Sequence, residues 1–272
     1  MEEKEQDYAK TTFNEVSEKY DEIEFFKTSA KFIPEIIKNH TRMTDMQVLD
    51  VACGTGNVVI ECATLYPDAT FDAIDISEGM LAKAKKNAAA KNLDNIEFYL
   101  QDVTKLESEK KYNVITCGYV MFFLPDAISV LKSLVKRLRP NGIIIFTTFT
   151  DEAFSPSSEI LLPLLEKYGS PTAKEYDAKK WQNLRTKIDI KRLCMLALVN
   201  DMNTHLEKIG YDMNIDEWWE LVNNTGFKGM LMELSSENYA LVKSEYYEAM
   251  SEHENTEGKV QLNADTYFVV VE

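Results

Sequence analysis

Residues 48–57 read Val-Leu-Asp-Val-Ala-Cys-Gly-Thr-Gly-Asn, and the fold turns on them. The first four form a short apolar run with β-branched ends. Gly54-Thr55-Gly56 then makes a tight turn, and Asn57 to Tyr66 resumes the three- and four-residue apolar spacing of a helix. The order is therefore strand, glycine loop, helix. At the carboxyl end of a parallel strand, backbone N–H groups and the dipole of the following helix favour an anionic ligand group, either a carboxylate or a phosphate. Alone, a Gly-x-Gly turn is equally well explained by turn geometry.

Downstream the alternation repeats. Thr70–Ile76 reads as a strand and Ser77–Asn92 as a helix with Ser77 at its N-cap. Ile96–Asp102 and Tyr112–Val120 read as strands, Asp126–Leu138 as a helix ended by Pro140-Asn141-Gly142, and Ile143–Phe149 as a further strand. Strands alternating with helices predict an α/β fold whose mostly parallel sheet carries helices on both faces. Upstream, residues 7–39 read as helical, with Phe13, Val16, Tyr20, Ile23, Phe32 and Ile36 at helical spacing and Pro34 interrupting or restarting the helix.

Beyond Phe149 the rhythm is lost. Pro156, Pro163 and Pro171 lie between the apolar stretches Glu159–Tyr168 and Ile190–Val199, which predicts an irregular helical insertion. Asn203–Ile209 reads as a strand, Asp216–Phe227 and Ser236–Met250 as amphipathic helices, Ser251–Gly258 as an exposed acidic loop, and Ala264–Val271 as a closing strand. A single domain over 1–272 is expected: entry helices in 1–45, a ligand-binding core in 46–150, a helical cap with a late strand in 151–263, and the final strand in 264–272.

Composition narrows the functions. The 272 residues include 30 Lys and Arg against 45 Asp and Glu, a formal net charge of -15 that repels a polyanion. Lys83-Ala84-Lys85-Lys86 and Lys179-Lys180 read as solvated helix faces, so no nucleic-acid partner is expected. The opening residues are acidic and polar, and no run approaches the ~18 apolar residues of a membrane span, so a cytoplasmic protein is expected. Cys53, Cys62, Cys117 and Cys194 are scattered like free thiols. His40, His205 and His253 lack ligand spacing, and no metal is expected.

Two acids at strand ends sharpen the ligand. Asp75 follows the glycines by about 20 residues, where a carboxylate accepts from a ribose diol and repels a 2′-phosphate. Asp102, ending the next strand, can accept from an exocyclic amine, or can simply cap a turn. Val59 stands where a dinucleotide fingerprint needs glycine or alanine, so NAD fits poorly.

Five segments, Val48–Asn57, Ala73–Ala88, Ile96–Val103, Tyr112–Asp126 and Leu138–Phe149, together resemble the class I S-adenosylmethionine-dependent methyltransferases. Phe13–Glu22 resembles the entry helix of the subgroup that includes the ubiquinone and menaquinone biosynthesis C-methyltransferases, and Asp216–Ser235 resembles the late part of that broad subgroup. The resemblance implies a Rossmann-like sheet with an antiparallel last strand and S-adenosylmethionine as cofactor. It places Asp50, Ala52, Gly54 and Gly56 against the methionine part and Asp75 on the ribose. Ile76 and Met80 would pack around the adenine, and Asp102 and Val103 would meet its amino group. Gly118 and Tyr119 would border the methyl group, and Tyr20 would close over the methionine end. Ala52 replaces the first of the family's three glycines, which puts a methyl group near the ligand without disturbing the fold.

A sulfonium methyl is already activated, so the protein has chiefly to align donor and nucleophile and exclude water. No strong base is dictated; Tyr20, Tyr119 and His205 are candidates. Cys117 lacks the preceding proline of the cysteine-nucleophile methyltransferases, and Cys53 and Cys62 read as small core residues. Cys117-Gly118-Tyr119-Val120 stands where base and amide N-methyltransferases carry Asn-Pro-Pro-Tyr. Phe149, Phe154, Trp181, Tyr211, Trp218 and Trp219 either roof an apolar pocket or fill the cap's own core. The resulting expectation is methylation of a small, aromatic or apolar acceptor at oxygen, carbon or sulfur. The alternative class is a non-catalytic cofactor-binding module that regulates or assembles with a partner.

Overall fold

Alternating apolar residues on the short strands face two helical layers, and this sets the architecture. The computed structural model describes residues 2–40, 45–106, 109–176 and 182–272. Three helices, α1 (Glu2–Val16), α2 (Glu24–Ala30) and α3 (Phe32–His40), lead into β1 (Gln47–Val51), α4 (Asn57–Leu65), β2 (Thr70–Asp75), α5 (Glu78–Ala90) and β3 (Ile96–Leu100). Next come β4 (Tyr112–Cys117), α6 (Ala127–Val135) and β5 (Leu138–Phe149). Residues 151–263 contain α7 (Ser157–Lys167), α8 (Pro171–Tyr176), α9 (Lys187–Leu196), β6 (Met202–Glu207), β7 (Gly210–Met213), α10 (Ile215–Asn223), α11 (Phe227–Met232), α12 (Ser236–Ser251) and β8 (Val260–Asn263), and β9 (Thr266–Val271) follows. Of these, α9 and β6 belong to the sheet and its helical layer rather than to the expected cap.

The main sheet has the order β3-β2-β1-β4-β5-β9-β6. The first five strands are parallel, and β9 runs antiparallel between β5 and β6. Along β1, Val48 joins one apolar layer with Ile60, Phe71 and Leu81, while Leu49 and Val51 join the other with Leu131, Leu134 and Leu193. In β9 the same alternation sends Phe268 and Val270 to the first layer and Val269 and Val271 to the second. Burial on both faces is why these strands are nearly all apolar. A third core, in the cap, is built around Trp218, Tyr246 and Met250. Among the described residues no helix is long and apolar enough to cross a membrane.

Several local expectations change. The helix expected over 7–39 is three helices, and the break falls at the 3-10 turn Tyr20–Glu22 and again at Lys31. Of its two expected effects Pro34 shows the restart: it is the third residue of α3, in the first turn, where an amide hydrogen has no partner to lose. Pro140-Asn141-Gly142 does not end a helix. The helix stops at Val135, and the tripeptide lies within β5, where the register against β4 jumps from Tyr112–Leu138 to Val114–Ile143. The two-stranded sheet of β7 and β8 was not anticipated, because both strands are only four residues long and half polar. Ser77 caps α5 as expected, its hydroxyl accepting from Met80 N–H at 3.1 Å.

α1 lies across the junction of core and cap. Asn14 Oδ1 accepts from Ser77 Oγ at 2.7 Å and from Gly79 N–H at 3.0 Å, tying α1 to α5. On the cap side a methyl group at Gly229 would overlap the side chains of Thr12 and Tyr8. Gly229→Ala is expected to push α1 off α11, at a cost of about 1–3 kcal/mol for overpacking, and hydrogen exchange should show faster amide exchange in α1 than in α5.

Candidate functional site

The glycine loop gathers its neighbours through Asp75. The Asp75 carboxylate accepts from Gly54 N–H at Oδ2 and from Ser77 N–H at Oδ1, both at 2.8 Å. Gln101 N–H donates to the Asp75 carbonyl at 2.9 Å, joining the ends of β2 and β3. Burial holds the Asp75 carboxyl above the usual carboxylate range, opposed by the N–H groups of Ser77 and Gly54. Each carboxylate oxygen retains a lone pair for a further donor. Two of the loop's N–H groups are engaged within the protein, Gly54 N–H by Asp75 and Gly56 N–H by the Cys53 carbonyl at 2.9 Å. The backbone is left-handed at Ala52 (φ 51°), Gly54 (φ 56°) and Gly56 (φ 89°). A Cβ at Gly54 would meet nothing within 4 Å, so the loop is open on that side.

Asp50, on β1 beneath this loop, is 1% exposed. Thr116 Oγ1 donates to its Oδ1 at 2.6 Å, while its Oδ2 is buried without a hydrogen-bond partner. Burial pushes its carboxyl up to about 7. Asp50, Ala52, Gly54, Gly118 and Tyr119 line a narrow cleft of about 50 Å³. An unpaired carboxylate oxygen beside an open glycine loop suits an ammonium group, as the amino-acid end of S-adenosylmethionine carries, so the residues fit that cofactor.

The adenine-side residues are arranged differently. Asp102 caps the turn Val103–Lys105, its Oδ1 accepting from Thr104 N–H at 2.8 Å and Thr104 Oγ1 at 2.7 Å, which is the simpler of its two expected roles. Val103 and Met80 are buried and Ile76 is half-buried. None of Asp75, Ile76, Met80, Asp102 and Val103 lines the 50 Å³ cleft. His205 is exposed on the edge strand β6 and lines neither that cleft nor the larger cavity described next, which removes it as a candidate base. Burial raises all four thiols, Cys194 to about 11, leaving them neutral core groups.

The larger cavity, of about 520 Å³, adjoins the cleft, and Tyr20, Phe26 and Tyr119 line both. Tyr20 stacks on Phe26 (4.5 Å between centroids), Phe26 meets Tyr119 edge to face (5.4 Å), and Tyr119 stacks on Phe149 (4.4 Å). Tyr119 is held in a left-handed conformation (φ 53°), with its N–H donating to Thr147 Oγ1 at 3.0 Å. Its hydroxyl lies 2.8 Å from Thr266 Oγ1, which itself donates to the Ala264 carbonyl, so the Tyr119 proton is the one shared with Thr266. Burial pushes Tyr119 up to about 12 and raises Tyr20 further, with Tyr119 and Asp75 adding to the shift at Tyr20. Both are neutral hydroxyls at physiological pH.

Of the aromatic residues expected either to roof a pocket or to fill the cap's core, Phe149 and Phe154 line the cavity. Trp218, Trp219 and Tyr211 belong to the cap's own core, with Trp218 Nε1 donating to the Val260 carbonyl at 3.2 Å. Trp181 lies outside the described residues. The sequence reading missed the cavity wall from α1 (Tyr8, Phe13), from the turn after β4 (Phe122, Phe123), and from Arg185 and Thr225. Helical spacing put Phe13 on a buried face, but no local signal showed that this face looks into a cavity.

Comparison with known proteins agrees with this geometry. The family described as "Methyltransferase domain" matches residues 43–192, more than half of the chain. Malonyl-[acyl-carrier protein] O-methyltransferase of Halalkalibacterium halodurans is 28% identical over 230 residues, 82% of this chain and 80% of that protein. The Bacillus anthracis enzyme of the same name is 31% identical over 128 residues, and there this chain spans only 46% of the relative's length. Demethylmenaquinone methyltransferase of Lactococcus lactis is 30% identical over 178 residues, 60% of this chain and 70% of that protein. The plantazolicin methyltransferase BpumL, solved with SAH, shares the fold with a TM-score of 0.56 at 17% identity, covering 98% of this chain and 95% of that one. With its strand order, its Asp75-tied glycine loop and this match over most of the core, the chain belongs to the methyltransferase domain family, among the class I S-adenosylmethionine-dependent methyltransferases.

Proposed function

We propose that this protein transfers a methyl group from S-adenosylmethionine to a small-molecule acceptor, at oxygen, carbon or sulfur, by in-line displacement. The observation that carries the reading is the shared wall: Tyr20, Phe26 and Tyr119 border both the cleft over the glycine loop and the ring-lined cavity. When bound, the cofactor supplies a methyl group already activated by sulfonium charge. Asp50 would hold its ammonium group, Asp75 its ribose hydroxyls, and Ile76, Met80, Asp102 and Val103 its adenine. Gly118 and Tyr119 would border the transfer path, with Tyr20 closing it from water. Because Tyr119 shares its proton with Thr266, neither it nor the more strongly shifted Tyr20 serves as a base, so the acceptor reacts as its anion, its proton having gone to solvent, and the sulfonium leaves as the neutral thioether.

That same lack of an ionised base at the shared wall is the observation favouring the second reading, a cofactor-binding module that performs no transfer. Titration calorimetry separates the possibilities. One-to-one binding of both S-adenosylmethionine and S-adenosylhomocysteine is expected, followed by formation of S-adenosylhomocysteine when phenolic, quinol or thiol acceptors are added. Binding without turnover across that panel supports the module, and failure to bind either ligand ends both readings.

A further inference from the structure

The 520 Å³ cavity is not uniformly apolar. Phe13, Phe25, Phe122, Phe149 and Phe154 supply rings, whereas Thr172, Glu175, Tyr176, Asn183 and Arg185 form a polar wall, and none of these five lines the cofactor cleft. Arg185 is half-buried, and its guanidinium carbon lies 5.9 Å from the centroid of the Tyr176 ring. One of its terminal nitrogens donates to Tyr176 Oη at 2.7 Å, and among the described residues no carboxylate lies within ion-pair distance of it. A guanidinium has five N–H donors in a planar fork, so most of this one's donors are left for a ligand.

Among the described residues, the two acids on the cavity wall do not reverse its preference. Glu233 accepts from the hydroxyls of Ser170 and Thr172 and from Thr172 N–H, which occupies both of its oxygens. Glu175 is exposed to solvent, where its charge is screened. A second observation points to a ligand independently of Arg185. Thr225, 6% exposed, lines the cavity with a buried hydroxyl that has no hydrogen-bond partner. A buried hydroxyl left unpaired is costly unless something in the cavity engages it.

We propose that the acceptor is an amphipathic carboxylate: a flat apolar body lies among the rings, and its carboxylate is held by Arg185 at the polar wall, away from the shared wall where the methyl group would arrive. This rests on the methyltransferase reading of the same site and adds the chemical class of the acceptor. Cavities of this volume accommodate bicyclic or larger molecules. A bidentate carboxylate matches the guanidinium fork better than a cation or a neutral amide does.

The test uses 6-hydroxy-2-naphthoate and its neutral counterpart 6-hydroxy-2-naphthamide as probes, titrated into the full chain saturated with S-adenosylhomocysteine and followed by calorimetry. The naphthoate is expected to bind about tenfold or more tighter than the amide, the range for one desolvated charge-assisted pair. Arg185→Ala should weaken the naphthoate far more than the amide and so bring the two affinities together, while leaving S-adenosylhomocysteine binding unchanged, and Arg185→Lys should restore part of the preference. Equal affinities in the unaltered protein, a preference that survives Arg185→Ala, or no binding of either probe would overturn the proposal. Cofactor binding is read separately by titration without probe. Its loss sinks the methyltransferase reading, whereas its persistence without a carboxylate preference sinks only this one.

Discussion

Asp75→Ala is expected to weaken binding of both S-adenosylmethionine and S-adenosylhomocysteine by about a hundredfold or more, because each ribose hydrogen bond to a carboxylate is worth ~1.5–3 kcal/mol. The expected loss is the same for both ligands, since the ribose is common to them, and calorimetry reads it directly. The substitution also strips Gly54 N–H and Ser77 N–H of their acceptor in a site that is 7% exposed, so the unliganded protein should melt earlier. Asp75→Asn separates the two effects. Its single amide oxygen can still serve one of the two N–H groups, so it should recover part of the stability but little of the affinity. Unchanged affinity in a folded Asp75→Ala protein would mean that the ribose lies elsewhere.

The second large effect concerns Asp50 and has opposite signs for stability and binding. Its carboxyl is raised in the folded protein to about 7, against about 4 in an unfolded chain. An acid with a raised folded value favours the fold only while protonated. Its contribution therefore becomes unfavourable as pH rises from about 4, and the penalty levels off above about 7, at an upper bound near 4 kcal/mol. Asp50→Asn keeps a side-chain oxygen for the Thr116 hydroxyl and removes the charge. The variant should melt several degrees higher than the unaltered protein at pH 8 and much less so at pH 5. Cofactor binding should respond in the reverse sense. An ammonium beside Asp50 favours the ionised form, so binding releases a proton, and affinity for S-adenosylmethionine should rise between pH 6 and pH 8. In Asp50→Asn both the affinity and the pH dependence should fall. Calorimetry in buffers of different ionisation enthalpy measures that proton release, and an absence of release at pH 6.5 would remove Asp50 from the cofactor's amino group.

Much of this arrangement is legible in the sequence. Val48–Val51, Ile143–Phe149 and Ala264–Val271 announce buried strands because burial on both faces leaves them almost wholly apolar, and the alternating helices then require a parallel sheet. The glycine loop and Asp75 were legible because a tight turn at a strand end and an acid at the next strand end are local facts. The cavity was not. Its wall is assembled from α1, the turn after β4, Arg185 and the α10–α11 junction, and only the tertiary fold brings these together. Asp102 takes the capping role that was one of its two expected ones, through a neighbouring Thr104 with two donors. His205 is set aside because β6 proves to be the sheet's edge and leaves its side chain in solvent. Of the two roles open to Trp218 and Trp219, the structure gives the second: they face inward from α10 and fill the cap's own core.

The position of β9 has a kinetic consequence. It is inserted between β5 and β6, and Phe149 pairs with Thr266, so the β5–β9 ladder can form only after the whole cap has been drawn in as a closed loop. Such distant pairings are late and slow events in folding. Thr266, the first residue of β9, is also the hydrogen-bond partner of Tyr119 at the wall between cleft and cavity. The local β1-loop-α4 unit can therefore organise early, whereas the partition that would separate donor from acceptor sets only when the last long-range ladder closes. A refolding chain should regain affinity for the cofactor before it regains the ability to discriminate among acceptors.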